Sequence, residues 1–265
     1  MSDTPRPSAT VCVLHQGVAD FEVLMVRRSQ SARFMAGAWV FPGGVVDDTD
    51  HQPAALDTIA DLPACSEIAP WLAAAFREVV EETGVWLTDS PVVELPGDES
   101  VFAIAQRESR QFAANRAAYF ANWITPTMIP VRFDARFFIV EIPRRVTAQP
   151  DEIEVDAAEF VAPGEALRRA ESGDWLVPFP TQRTLLQLLG FESVKAALDE
   201  WQHREVIPVQ PRMRIAADGS LEVVMPDEPG FEDLEDVAPD PDALARAARA
   251  AAEHGRPIAE VPSDD

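Results

Sequence analysis

The chain has 265 residues, 47% of them hydrophobic and 25% charged, a composition typical of a globular protein that buries its own core. Its formal net charge is −23, which argues against binding to nucleic acid or to an anionic membrane surface, because both need a basic face. No apolar run approaches the ~18 residues of a membrane-spanning helix, and the 2 cysteines are too few for a disulfide framework. We therefore expect a cytoplasmic protein in which any phosphate-bearing substrate requires a bound metal ion or a few placed arginines.

The N-terminal part of the chain predicts a small sheet that ends at a glycine turn. Residues 10–16 and 21–28 have the pattern of two strands joined by a short turn, and residues 38–41 form a third, apolar strand. The Pro-Gly-Gly sequence at 42–44 stops that strand. An irregular insertion, rich in Asp and Pro, follows at about 47–70.

The rest of the chain predicts alternating helices and strands and then an acidic tail. The elements expected after residue 84 are a helical segment at about 99–120, strands at 131–142 and 153–161, a helix at 163–171, a helical stretch from about 181 to 203 broken near Gly190, and a hairpin at 207–226. From residue 226 onward, 12 acidic residues accompany only 3 arginines, which is typical of a loosely ordered segment. We therefore divide the chain into one domain at 1–226 and an acidic, Pro-rich tail at 227–265.

The most informative segment is an amphipathic helix predicted at 71–83. At about 100° per residue, Glu78, Glu81 and Glu82 fall within an arc of about 100°, opposite an apolar stripe. Like charges at this spacing destabilise a helix, and carboxylates near its C-terminal end oppose the macrodipole. A hard divalent cation such as Mg²⁺ or Mn²⁺ would remove this conflict, because such ions prefer carboxylate oxygens. Arg77 lies four residues before Glu81 and can pair with it.

Three glutamates alone more often indicate a solvated helix face, but their sequence context points elsewhere. Residues 77–85 read Arg-Glu-Val-Val-Glu-Glu-Thr-Gly-Val. This matches every specified position in the second half of the Nudix signature, Gly-x5-Glu-x7-Arg-Glu-U-x-Glu-Glu-x-Gly-U, where U is aliphatic. Gly44 corresponds to the first glycine of the signature. The chain therefore resembles the Nudix hydrolase family, and the resemblance spans roughly residues 10 to 205.

The spacing within the signature departs from the family pattern. Between Gly44 and Arg77 lie 32 residues, which is 19 more than the pattern has. The first glutamate of the signature falls on Asp50 by strict count, or on Asp47 or Asp48 by local similarity, and the sequence does not decide among them. Because a loop insertion costs little closure entropy, the glycine turn and the helix can still meet. An interrupted signature of this kind is similar to that of a Nudix subgroup akin to the peroxisomal coenzyme A diphosphatase of animals.

The resemblance implies a fold and a metal-dependent chemistry. The fold would be the α+β Nudix fold, an α/β/α sandwich around a mixed β-sheet with helical insertions. The reaction would be hydrolysis of the pyrophosphate bond of a nucleoside diphosphate linked to another moiety, with coenzyme A or an acyl derivative as the favoured substrate. Mg²⁺ or Mn²⁺ would be held by Glu78, Glu81, Glu82 and the Gly43 carbonyl, and would lower the pKa of the attacking water.

The resemblance also implies roles for other residues. Arg77 joins the three glutamates in the predicted catalytic set. The general base would be one of those glutamates or a loop glutamate, Glu152 or Glu154, and we include Glu154 among the catalytic residues. Arginines can bind phosphates through two hydrogen bonds at once. The predicted substrate-binding residues are Arg27, Arg28 and Gly44.

Three alternatives remain open from the sequence. The substrate could be ADP-ribose, NADH or another dinucleotide. The chain could be a non-catalytic Nudix-fold module that binds a nucleotide or a protein, although the presence of all three glutamates favours catalysis. The acidic tail could itself be the functional part, as an interaction arm. The expected partner is a small nucleotide-diphosphate substrate, without nucleic acid or membrane, and the hairpin at 207–226 is a candidate homodimer contact.

Overall fold

The computed structural model describes residues 4–18, 20–32, 35–61, 67–90, 97, 99–129, 131–215 and 221–234. The strands are β1 (Arg6–Gln16), β2 (Phe21–Arg28), β3 (Trp39–Val40), β4 (Gly43–Val45), β5 (Ile59–Ala60), β6 (Phe112–Ala113), β7 (Ala117–Ile124), β8 (Phe133–Glu141), β9 (Val155–Val161), β10 (Arg212–Ile215) and β11 (Leu221–Val224). The helices are α1 (Pro53–Leu56), α2 (Ala69–Thr83), α3 (Val101–Arg107), α4 (Pro163–Glu171), α5 (Phe179–Leu188) and α6 (Val194–Trp201), and 3₁₀ turns cover Asp48–His51 and Ala114–Arg116. None of the helices in these ranges has the length and apolar character needed to cross a membrane.

A mixed sheet of seven strands forms the centre of the molecule. Its order is β3-β2-β1-β8-β7, with β4 also pairing with β1 and β9 with β2. Strands β1 and β8 run parallel, and the other pairs in this sheet run antiparallel. Strand β1 therefore has β8 along one edge and both β4 and β2 along the other, which places the glycine turn beside its first half.

Side chains on the two faces of the sheet form two separate cores. Successive side chains of β1 alternate between them, because a strand points its side chains to opposite faces. Val11 and Val13 pack in one core with side chains of α1, α2 and α3, whereas Cys12 and Leu14 pack in the other with side chains of α4, α5 and α6. This is an α/β/α sandwich around a mixed sheet, so the predicted fold class is confirmed.

Helix α2 has the amphipathic character that its sequence predicts. Its first turn contains a proline, whose missing N–H costs nothing at that position, and it ends where Gly84 adopts a left-handed conformation with φ of 66°. The apolar side, which includes Leu72, Phe76 and Val79, is buried against the sheet. The opposite side is thereby left to carry the glutamates.

The helix predicted at about 99–120 is wrong beyond its first turns. Helix α3 ends at Arg107, and strands β6 and β7 follow. From residue 117 to 122 the side chains of β7 alternate between half-buried and buried, which is the period of a strand. The alanine-rich composition favoured a helix, but pairing with β8 and packing on the central sheet decided the structure.

The insertion within the signature folds back on the domain in its described part. It contains a 3₁₀ turn at Asp48–His51, α1 and β5, and β5 pairs in parallel with β6. The described part of the insertion is therefore attached to the domain through strand β6.

The predicted C-terminal hairpin is confirmed, and part of the predicted tail packs on it. Strands β10 and β11 pair antiparallel, and the turn between them lies outside the described residues. Arg212 donates hydrogen bonds to the carbonyls of Phe231 and Leu234 and lies over the Phe231 ring. Phe231 and Leu234 of the predicted tail thus contact the hairpin, and residues 235–265 lie outside the described residues.

Candidate functional site

The glutamates of α2 lie against the glycine turn of β4. Glu82 is 3% exposed, and its Oε2 accepts a hydrogen bond of 3.1 Å from the backbone N–H of Gly43. A Cβ atom on Gly44 would lie 2.3 Å from Oε1 of Glu78, so only glycine leaves room for that carboxylate. Glu81 lies further out, with 42% of its side chain exposed. The two halves of the signature therefore meet in space despite the insertion between them.

A buried arginine links the insertion to the glutamates. Nε and Nη2 of Arg77 donate hydrogen bonds of 2.9 Å to the two carboxylate oxygens of Asp50, which is 0% exposed. Nη1 of Arg77 donates to Glu78 at 2.8 Å and to Glu81 at 2.9 Å. Asp47 is 3.8 Å from Arg77, and 63% of its side chain is exposed. Of the three acids that the sequence left open, Asp50 is therefore the one that pairs closely with the arginine of the signature.

Arg77 stays charged in this environment. Burial by itself lowers the pKa of its guanidinium, but the hydrogen bond to Asp50 and the charges of Glu78, Asp50 and Glu81 outweigh burial and raise it. A permanent cation is therefore fixed between the insertion and α2, where it holds one oxygen of Glu78 and one of Glu81.

The three glutamates form a cluster with excess negative charge. Burial raises the pKa of each carboxyl, to about 7 for Glu78, although Arg77 counteracts this for Glu78 and Glu81. The charge of Glu154 contributes to the raised pKa of all three, so Glu154 lies within electrostatic reach of the whole cluster. The loop that carries Glu154 is also joined to α2, because the N–H of Asp151 donates to the carbonyl of Glu82 at 3.2 Å. The structure therefore places this loop glutamate near the glutamates of α2.

The two candidate phosphate-binding arginines lie on opposite faces of β2. The charge of Arg28 lowers the pKa of Glu82, which places its guanidinium near the glutamates. Arg27 instead pairs with Asp156 at 2.5 Å and lies 6.0 Å from the ring centroid of Trp39. Trp39 packs in the core formed with α4, α5 and α6, on the face of the sheet opposite to α2. The structure therefore brings Arg28 to the candidate site and leaves Arg27 on the far face of the sheet.

The sequence did not single out one residue beside this site. Asp151 lies three residues before Glu154, and its carboxylate accepts hydrogen bonds from three backbone N–H groups of the loop that carries Glu154. An aspartate that precedes a short turn is a known signal for such bonds, because its short side chain reaches the N–H groups that follow. The sequence does not show how close this loop lies to the glutamates of α2, and for that reason Asp151 could not be singled out.

The donor atoms of the cluster fit a hard divalent cation. Among the described residues, no three His, Cys, Asp or Glu side chains are already gathered as they would be around a bound ion, and Glu78 and Glu81 each direct an oxygen to Arg77. The carboxylates nevertheless raise one another's pKa, a conflict that an added divalent charge relieves. Glu78, Glu81 and Glu82 are thus suitable ligands, and their metal-binding role and that of the Gly43 carbonyl stay predictions.

Comparison with known proteins gives consistent matches over this region. The sequence profile of the NUDIX domain matches residues 4–178. A Caenorhabditis elegans protein provisionally named nudix hydrolase 7 is 28% identical over 179 residues, a match that covers 63% of this chain and 55% of that protein. The acyl-coenzyme A diphosphatase NUDT19 of Gallus gallus is 26% identical over 279 residues, covering 80% of this chain and 73% of the relative. The chain thus spans little more than half the length of the nematode relative.

A solved structure supports the same grouping. The crystal structure of a NUDIX hydrolase from Alicyclobacillus acidocaldarius superimposes with a TM-score of 0.66 at 29% sequence identity. The superposition covers 74% of this chain and 96% of that protein. Residues 4–178, which the NUDIX profile matches, contain the central sheet and the helix that carries the glutamates.

Proposed function

Because the chain belongs to the Nudix hydrolase family, we propose that it hydrolyses the pyrophosphate bond of a nucleoside diphosphate linked to another moiety, with coenzyme A or an acyl-coenzyme A as substrate. The observation that carries the proposal is the meeting of the glycine turn, the three glutamates of α2 and Glu154 around one cluster of carboxylates. The interrupted signature and the similarity to the chicken acyl-coenzyme A diphosphatase support the choice of substrate.

Four carboxylates and one arginine would perform the chemistry. Glu78, Glu81 and Glu82 would hold Mg²⁺ or Mn²⁺, which when bound supplies positive charge to the pyrophosphate oxygens and lowers the pKa of the attacking water. Glu154 would accept a proton from that water, and it is exposed, so water reaches its carboxylate. Arg28 would pair with phosphate charge.

Two further residues would keep this arrangement in place. Arg77 holds oxygens of Glu78 and Glu81 while Asp50 fixes its own guanidinium, so the orientation of the carboxylates depends on it. Gly44 leaves the space that the Glu78 carboxylate occupies. Both effects act through position, which strongly affects rate when reacting groups must be aligned.

A substrate panel tests the proposed activity. The purified protein with Mg²⁺ or Mn²⁺ is incubated with coenzyme A, an acyl-coenzyme A, ADP-ribose, NADH and diadenosine polyphosphates. We expect the highest kcat/KM for coenzyme A or its acyl derivative, with two phosphate monoesters as products. A clear preference for ADP-ribose or NADH would support the alternative substrate class. Survival of every compound would support the non-catalytic binding module instead.

A single substitution tests the assignment of the site. Glu82→Gln removes the charge of the most buried glutamate and should lower kcat at least about 100-fold, because catalysis then loses an oriented charge at the reacting centre. Its far-ultraviolet circular dichroism and Tm should show that the fold is intact. Glu171→Gln, on the exposed end of α4, is the matched control and should keep wild-type kcat. Unchanged turnover in the Glu82 variant would end this assignment.

A further inference from the structure

The loop at 149–155 is fastened to the end of α2. The backbone N–H of Gln149 donates to the carbonyl of Thr83 at 2.8 Å, and that of Asp151 donates to the carbonyl of Glu82 at 3.2 Å. The last carbonyls of a helix have no partner within the helix, so these bonds satisfy groups that would otherwise need water. The loop and the helix that carries Glu82 are therefore joined through their backbones.

The carboxylate of Asp151 organises the rest of this loop. Its Oδ1 accepts hydrogen bonds from the backbone N–H groups of Ile153 at 3.1 Å, Glu154 at 3.0 Å and Val155 at 2.9 Å. Glu152, which lies between Asp151 and Ile153, has φ of 62°, a conformation that is uncommon for a residue other than glycine. The three bonds to one oxygen hold the loop in this tight turn.

The position of Glu154 depends on this backbone. Its carbonyl accepts a hydrogen bond of 2.8 Å from the N–H of Ser29, which follows β2. Within the described part of the chain, the Glu154 carboxylate makes no hydrogen bond or ion pair of its own, and the residue is exposed. The loop backbone therefore determines where the Glu154 side chain lies relative to the glutamates of α2.

We propose that Asp151 is a positioning residue that aligns the Glu154 carboxylate with the glutamates of α2 through its hydrogen bonds to the loop backbone. The inference rests on the proposed role of Glu154 as the proton acceptor. Both carboxylate oxygens of Asp151 accept hydrogen bonds from backbone N–H groups of its own loop, so we expect it to act through Glu154. Its removal should therefore affect the chemical step more than substrate binding.

Substitutions at Asp151 distinguish positioning from general loop stability. Asp151→Ala removes every hydrogen bond of this carboxylate and should lower kcat by about 10-fold or more with little change in KM, because a displaced proton acceptor loses most of its contribution. Asp151→Asn keeps an oxygen where Oδ1 lies, since asparagine makes the same kind of turn, and should restore most of kcat. Asp174→Ala, an exposed aspartate on another loop, is the control and should keep wild-type kinetics.

A double-mutant cycle with Glu154→Gln provides the decisive kinetic test, measured on the panel compound that the wild-type chain hydrolyses fastest. If Asp151 acts through Glu154, Asp151→Ala lowers kcat in the wild-type background and has almost no further effect when Glu154 is already glutamine. An equal loss of kcat in both backgrounds, or no loss in either, would overturn the proposal. If Glu154→Gln alone leaves kcat unchanged while Glu82→Gln abolishes it, the positioning proposal fails and the hydrolase proposal stands.

A crystal structure of the Asp151→Ala variant tests the same claim without turnover. The Glu154 carboxylate should be displaced from Glu82 in Asp151→Ala and should keep its place in Asp151→Asn. A carboxylate that remains in place in the alanine variant would contradict the proposal, even if the wild-type chain cleaves no compound of the panel.

Discussion

The buried ion pair between Arg77 and Asp50 leads to a quantitative prediction. Asp50→Asn keeps the shape of the side chain, removes its charge and places an amide N–H group against the guanidinium. Asp50 is 0% exposed, and two hydrogen bonds of 2.9 Å join it to Arg77. Water therefore cannot replace what the substitution removes.

The size of the effect follows from the remaining partners of Arg77. Removing one member of a buried ion pair destabilises a protein by about 3–5 kcal/mol. The lower end applies because Arg77 keeps its hydrogen bonds to the Val45 carbonyl, Glu78 and Glu81. We expect a loss of about 3 kcal/mol in the free energy of unfolding, which corresponds to a fall in Tm of about 6–12 °C for a domain of this size.

Urea unfolding followed by circular dichroism measures this loss. The control is Asp48→Asn, an exposed acid on the same 3₁₀ turn, which should change the free energy of unfolding by less than about 0.5 kcal/mol. The double variant Asp50→Asn with Arg77→Gln should lose less stability than the sum of the two single variants, since both remove the same pair. Equal stability of the Asp50 and Asp48 variants, or strict additivity in the cycle, would refute the reasoning.

Three other predictions concern the glycine turn, the metal and the tail. Gly44→Ala should lower kcat by about 100-fold with a small change in Tm, because the added Cβ would lie 2.3 Å from the Glu78 carboxylate and displace it. The control is Gly164→Ala, whose added Cβ would approach only Leu189, at 3.6 Å, and equal kinetics of the two variants would contradict this prediction. Without metal, the pKa of Glu78 is raised from 4.5 to about 7, so between these pH values the folded state keeps a proton that the unfolded chain releases. The contribution of Glu78 to stability therefore falls as the pH rises from about 4.5 to about 7. A fixed Mn²⁺ concentration, about 100 times the Kd at pH 8, should add about 2.7 kcal/mol to the free energy of unfolding at pH 8. The same concentration should add less at pH 5.5, where protonation of Glu78 weakens binding, and an equal gain at both pH values would count against Glu78 as a ligand. We propose that residues 235–265 are not part of the site, so a chain truncated after Leu234 should keep wild-type kcat on coenzyme A; a lost activity would favour the interaction arm.

Local sequence patterns predicted much of the fold, and pairing between distant strands corrected the rest. The strand at 21–28 and the helix at 163–171 have the predicted bounds. The strand is a short apolar run, and the helix begins at a proline, which is a common first residue of a helix. Residues 117–124 combine alanine-rich composition with strand-like alternation, so local propensity and tertiary pairing disagree. Such conflicts are resolved by packing against β8, which no local window contains.

The candidate site was predictable where it depends on a single helix, and less so where distant segments meet. The helical wheel places the glutamates on one side of α2, and the structure agrees. The choice of Asp50 depends on its burial against Arg77, which the spacing of three nearby aspartates does not reveal. Arg27 and Arg28 are neighbours on a strand, so alternation alone indicates that they face opposite sides of the sheet.

Metal-dependent hydrolysis by this chain requires that the glutamates of α2 bind a divalent cation. Crystals of the protein soaked in Mn²⁺ with a non-hydrolysable coenzyme A analogue, measured at a wavelength where manganese scatters anomalously, test this in one experiment. We predict an anomalous peak within ligand distance of carboxylate oxygens from Glu78, Glu81 or Glu82. A map with the analogue bound and no peak beside these oxygens would contradict the account.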